Sequence, residues 1–202
     1  MAGEGAGVGS DGRQRLLAAR NAYTRTASPH HDEVPPHVAH RARREGGLGT
    51  ADIGALPPWK RLRAGTRWAG ALMAVAEAEV RPATAAAVAA VRDTSLSRSA
   101  AARAGRAAPA GLPGLVSGDA PAPAVLTAAA PDRRAACDRR AHAGLRSLGI
   151  PLAHSRGRYG RHIDAIDRLL AAAPDPVRTW TPRETDTALS CLPSLSPAPP
   201  SA

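Results

Sequence analysis

The chain of 202 residues has no phenylalanine, one lysine, two cysteines, two tyrosines and three tryptophans. Leu, Val and Ile together supply only 32 residues, so large core-fillers are scarce. β-Branched and aromatic residues are too few for an extensive sheet, and alanine-rich helical packing is expected instead. Cys137 and Cys191 make neither a disulfide framework nor a four-cysteine iron–sulfur site. They read as reduced thiols of a cytoplasmic protein. Met1 to Ser10 lacks a basic n-region and an apolar h-region, so no secretory signal is read there. No apolar run approaches the roughly 18 residues that a membrane span needs. A membrane partner is therefore not expected, and neither is a cofactor or a metal ion.

Alanine and arginine are plentiful. Lys60 is the sole lysine, so 26 of the 27 basic residues are arginine, set against 17 acidic ones for a net charge of +10. GC-rich codon usage accounts for an excess of Ala, Arg, Gly and Pro. Whatever its origin, a basic surface gains counterion-release free energy on a phosphate backbone. The charge is uneven. From Pro131 to Arg161 eight arginines stand against Asp132 and Asp138 alone, and Lys60, Arg61, Arg63 and Arg67 form a second basic group. A solvated helix face is the plain reading of such runs; a phosphate-binding surface is the functional one.

Residues 1–10 read as a flexible tail, 11–192 as a helical domain with an unusual stretch at 111–141, and 193–202 as a Ser/Pro tail expected to be disordered. Asp11 with Gln14 has the form of a capping box opening a helix over 12–23. A polar loop, Thr24 to Val34, precedes a helix that Pro36 opens and Gly46-Gly47 stops. Thr50 to Leu56 reads as a short helix closed by Pro57-Pro58, and Thr66 as a cap within 59–81. Pro82 fits the first position of a helix to Val91, and Ser97 to Ala108 is another. Asp138 to Leu148 follows, ending at Gly149. Tyr159, Ile163, Ile166 and Leu170 form one apolar helical face. Thr181-Pro182-Arg183-Glu184 is a second capping box.

The stretch at 111–141 carries the functional signal. Leu112-Pro113-Gly114-Leu115 precedes an alanine-rich segment through Leu126, then Pro131-Asp132-Arg133 and Cys137-Asp138-Arg139-Arg140. This resembles the helix-hairpin-helix DNA glycosylase superfamily, in which a Pro-Gly hairpin is followed by a buried helix and then by an aspartate that opens the next helix. Asp138 lies 26 residues after Leu112 and Leu126 lies 14 after it. A two-residue insertion around Val116-Ser117-Gly118-Asp119 brings both offsets into line. Phrases such as Trp59-Lys60-Arg61-Leu62 and Arg158-Tyr159-Gly160-Arg161 resemble those of proteins from GC-rich bacteria. The resemblance implies an all-α, helix-hairpin-helix glycosylase-like fold with duplex DNA as partner. It also implies Asp138 as catalytic residue, and DNA contacts from Leu112, Pro113, Gly114, Gly118, Arg133, Arg134, Arg139 and Arg140. Such an aspartate stabilises a developing oxocarbenium ion or positions water. Val116 departs from the second hairpin glycine, Pro123 is awkward in a helix, and the hairpin holds no lysine for Schiff-base lyase chemistry.

Other groupings read as structure. His30, His31, His37 and His40 with Asp32 and Glu33 have metal-like composition but irregular spacing, and read as a solvated loop. Asp138 and His142 stand four apart on one helix, and Cys137 reads as a buried thiol in an apolar position. The competing functional reading is a helical protein without catalysis or a nucleic-acid role, basic through genome composition, or the product of a decayed reading frame.

Overall fold

A computed structural model describes residues 9–60, 66–108, 111–115 and 121–192. Among them every regular element is helical, so the chain is all-α. In order these are α1 (Ser10–Thr26), α2 (Val34–Glu45), α3 (Thr50–Gly54), α4 (Leu56–Lys60), α5 (Arg67–Met73) and α6 (Glu77–Arg92). Then come α7 (Arg98–Ala107), α8 (Pro121–Ala129), α9 (Arg139–Ser147), α10 (Arg158–Ala172) and α11 (Pro182–Cys191). Short 3-10 turns lie at Pro29–Glu33 and Val177–Thr179. No described helix is long and apolar enough to cross a membrane.

Two groups of helices meet. α8 is the centre of the first, with α2, α4, α6 and α7 around it. Every residue from Ala122 to Ala129 is buried. In the second group α9 packs on α11, α11 on α1, and α10 joins the group to α7. Close backbone approach takes the place of bulky side chains. A Cβ on Gly144 would stand 2.2 Å from the Leu189 carbonyl oxygen, which is how near α9 comes to α11. A Cβ on Gly105 would stand 2.5 Å from Val91, at the contact of α7 with α6. Glycine permits such approach. The few large residues fill what remains: Leu16, Ile53, Leu126, Leu145, Ile163, Ile166 and Leu189 are fully buried, each stabilising by roughly 1.5–3 kcal/mol.

Proline placement is where the helices depart most from expectation. Pro57 and Pro58 lie inside α4 rather than closing α3. Both occupy its first turn, where backbone amides have no partner within the helix. The same holds for Pro121 and Pro123 in α8. Pro82 is different: α6 begins at Glu77, so Pro82 is interior and not an opening residue. Tertiary bonds hold that turn in place. Thr84 Oγ1 donates to Leu48 O and accepts from Leu48 N, both at 2.8 Å, and Arg81 donates to Gly47 O. The Asp11 capping box is not formed either. α1 opens at Ser10 behind Gly9, with no side-chain cap, and Asp11 sits in its first turn. There its charge still favours the helix dipole. The segment expected as a loop after residue 23 is instead the end of α1, a 3-10 turn and the start of α2.

Candidate functional site

Asp138 is the N-cap of α9, where one carboxylate oxygen accepts from the Ala141 amide at 2.8 Å. The other oxygen faces Lys60 Nζ at 3.4 Å. Ser190 donates to the cap oxygen at 3.4 Å. The two charged groups come from sequence positions far apart. Lys60 ends α4 in the first helix group, while Asp138 and Ser190 belong to the second. Their meeting point lines a cleft of about 650 Å³, within the usual size of small-ligand pockets.

The cleft wall is cationic. Arg139, Arg140 and Arg183 line it together with Lys60, against the single carboxylate of Asp138. Arg139 and Arg140 are exposed, and no carboxylate among the described residues pairs with either. Trp59 lies beneath, nearly fully buried, with the Arg183 guanidinium 4.5 Å and the Lys60 ammonium 5.4 Å from its ring centre. Such cation–π stacking orients both cations. Tyr23 also lines the cleft and donates to Asp32, which pairs with Arg183. Burial and the neighbouring Asp32 charge push the Tyr23 phenol up to about 12, so it stays a neutral donor.

The other residues expected at a DNA surface lie elsewhere. Leu112, Pro113 and Gly114 form a tight turn in which the Leu115 amide donates to Leu112 O at 3.1 Å. Gly114 has φ 78°, and a Cβ there would stand 2.7 Å from Trp68. Leu112 and Leu115 anchor the turn in the core, and Arg106 donates to Leu115 O at 2.8 Å. This turn does not line the cleft. Gly118 and the expected insertion around it lie outside the described residues.

Arg133 and Arg134 correct the expectation of a continuous basic surface. Arg134 is wholly buried and donates to the carbonyls of Arg98, Arg133 and Val91. Arg133 donates to Asp93 O at 2.8 Å and to Leu96 O at 3.3 Å. Both also meet at Val91 O, a carbonyl in the last turn of α6 that has no partner within the helix, so together they tie that end of α6 to the segment after it.

Asp138 and His142 do not act as a pair either. His142 turns inward, with Nε2 3.2 Å from Cys137 Sγ and Nδ1 against the Arg158 guanidinium. Its ring meets that of His162 edge-on at 5.1 Å. Burial, His162 and Arg158 together pull His142 down to about 4, so it is neutral at pH 7. His162 bonds Asp186. Cys137 is buried as expected, yet its neighbours are polar. Sequence reasoning missed this cluster, because 49 residues separate Cys137 from Asp186 and no spacing motif links them. It also missed Lys60 as the partner of Asp138. The histidines at 30–40 are not gathered: His30 pairs with Glu33 at 2.8 Å, and His37 and His40 face outward on α2.

Comparison of the chain with family models, with curated proteins and with solved structures gives no match.

Proposed function

We propose that this protein binds duplex DNA and receives an everted nucleotide in the Asp138 cleft, in the manner of a monofunctional DNA glycosylase. The observation that carries the reading is the double engagement of Asp138. One oxygen is locked as the α9 cap, and the other is presented beside Lys60 in a cleft walled by Arg139, Arg140 and Arg183. An everted base needs a pocket of this size, because its bond to the sugar is out of reach in the stacked duplex. Cations around the pocket suit the flanking phosphates. An ionised carboxylate at its floor suits a sugar that becomes cationic as the base departs.

Lys60 has a part in the same reading. Paired with Asp138 at 3.4 Å, it is a cation placed for a phosphate. The helical frame also supports the reading: a buried alanine-rich helix, α8, follows the Leu112–Leu115 turn, and Asp138 opens the helix after it.

The test is base release from duplexes carrying alkylated, oxidised or deaminated bases. Asp138→Asn keeps the cap, since Asn caps as well as Asp, but removes the charge. A folded variant that still binds duplex and no longer releases the base is the expected result. Borohydride treatment on abasic duplex is expected to leave no covalent adduct. A wild-type protein that releases no base and binds duplex with no salt dependence overturns the reading.

A further inference from the structure

Beneath the cleft floor lies a second group of side chains that the DNA reading does not use. Cys137, His142, His162 and Asp186 come together where the start of α9 meets α10 and α11, and all four are buried. Cys137 Sγ and one ring nitrogen from each histidine lie within 4.8 Å of one another. His162 Nε2 is 3.0 Å from Asp186 Oδ1. Both Asp186 oxygens accept backbone amides, Oδ2 from Ala136 and Oδ1 from Cys137, so Asp186 faces His162 as an acceptor. A carboxylate can only accept. His162 therefore donates through Nε2, which leaves Nδ1 as its other ring nitrogen. That Nδ1 is fully buried and has no hydrogen-bond partner. Buried polar atoms are almost always satisfied, so this one points to a missing partner.

The geometry points to a transition-metal site in which Cys137, His142 and His162 bind a zinc-like divalent ion while Asp186 orients His162. One thiolate and two imidazoles form a borderline-soft donor set that suits zinc and disfavours magnesium or calcium. The Asp186–His162 bond is the outer-shell arrangement that fixes the tautomer and ring plane of metal-binding histidines. The backbone is set for it as well. Cys137 has φ 55°, the one positive φ at a non-glycine among the described residues. The Ala136 and Cys137 amides donate to Asp186 at 3.1 and 3.4 Å. Asp186 thus holds both the strained turn that presents the sulfur and the ring that presents a nitrogen.

Binding asks for small rearrangements. Tetrahedral zinc with bonds of about 2.0–2.3 Å places its ligand atoms roughly 3.3–3.7 Å apart, so the three donors close inward. The Cys137 thiol gives its proton to solvent as the sulfur–metal bond forms. His142 ligates through Nε2, which puts its proton on Nδ1 and turns the Arg158 guanidinium away toward His154, already 3.4 Å from it. Three protein ligands leave a fourth position for water. The site stands apart from the proposed base chemistry, and either can fail without the other.

The full-length protein, stripped with a chelator, is titrated with Co²⁺ and then with Zn²⁺. We expect one equivalent of Co²⁺ to give tetrahedral d–d bands and a thiolate-to-cobalt charge-transfer band, both abolished by Zn²⁺. Cys137→Ser should lose the charge-transfer band and Cys191→Ser should keep it. Asp186→Asn should bind one equivalent with affinity about 10- to 100-fold lower. Absence of a charge-transfer band, or a band that survives in folded Cys137→Ser, overturns the proposal. Where Cys137→Ser does not fold, X-ray absorption at the zinc edge of the wild type reads the same ligands. One sulfur with two imidazoles supports the site, and a shell without sulfur refutes it.

Discussion

Arg133-Arg134 and Arg139-Arg140 are the same dipeptide six residues apart, and they do opposite things. The first pair is drawn into the protein to close the carbonyl end of α6, with Arg134 wholly buried. The second pair stands exposed on the first turn of α9, on the wall of the Asp138 cleft. Between them lie Ala135, Ala136 and Cys137, all buried. That short dry segment carries the chain from the core to the cleft. Charge density along a sequence therefore overstates charge density on a surface. Beside the C-terminus of α6, Arg134 finds carbonyls close by, and three of them accept from its Nη groups while its buried Nε has no partner. Arg139 and Arg140, at the N-terminus of α9, find only amides there, and their heads stay in solvent.

The largest expected effect belongs to the buried pair. Arg134→Ala leaves three carbonyls without their donor, each worth about 1 kcal/mol. A loss of about 3 kcal/mol is expected, and for a chain of this size that lowers Tm by roughly 6–12 °C. Thermal melting followed by circular dichroism measures it. A variant that melts within a degree of the wild type would erase the distinction between the two pairs.

The exposed pair should show the converse. Arg139→Ala with Arg140→Ala is expected to leave Tm nearly unchanged, because neither side chain is buried or ion-paired among the described residues. Duplex affinity should fall alike on all sequences. The slope of log affinity against log salt should flatten by about 2, because each arginine that meets a phosphate releases about one counterion. Fluorescence anisotropy across a salt series reads this directly. An unchanged slope places the phosphate-binding surface on another face.

The same contrast explains what the sequence could and could not tell. The cap at Asp138, the Thr181–Glu184 box, the left-handed stop at Gly46 and the buried stripe of α10 were all legible. Each is decided by residues within about one or two helical turns. The fate of Arg134 was not legible, because Val91 and Arg98 lie 43 and 36 residues away. Pro57, Pro58 and Pro123 misled because proline breaks a helix interior but not a first turn. Within the candidate site, Asp138 was singled out by the spacing from Leu112 that the resemblance implies, and its role there is the proposal. Lys60 and the Cys137–Asp186 cluster emerge only when the two helix groups close on each other.

A third kind of arginine sharpens the comparison at the smallest scale. Arg20 on α1 is neither buried on carbonyls nor left in solvent; it pairs with Glu184 of α11, both half-exposed. Burial raises the Glu184 pKa, but the Thr181 amide and the Arg20 charge outweigh it and hold the carboxyl below its ordinary value. A carboxylate with a depressed folded pKa stabilises the protein fully above its unfolded value, near 4.3. That stability is lost as the pH falls through the lower folded value. Glu184→Gln removes the titration while keeping an acceptor for the Thr181 amide. The variant should be less stable than the wild type at pH 7 by about 0.5–1 kcal/mol, the scale of a solvated pair. The difference should shrink steadily below pH 4, because the wild-type carboxyl is then protonated. Urea unfolding at a series of pH values measures both curves. Curves that stay parallel through pH 3 would mean that Arg20 gains nothing from the Glu184 charge and belongs with the solvated arginines of the cleft.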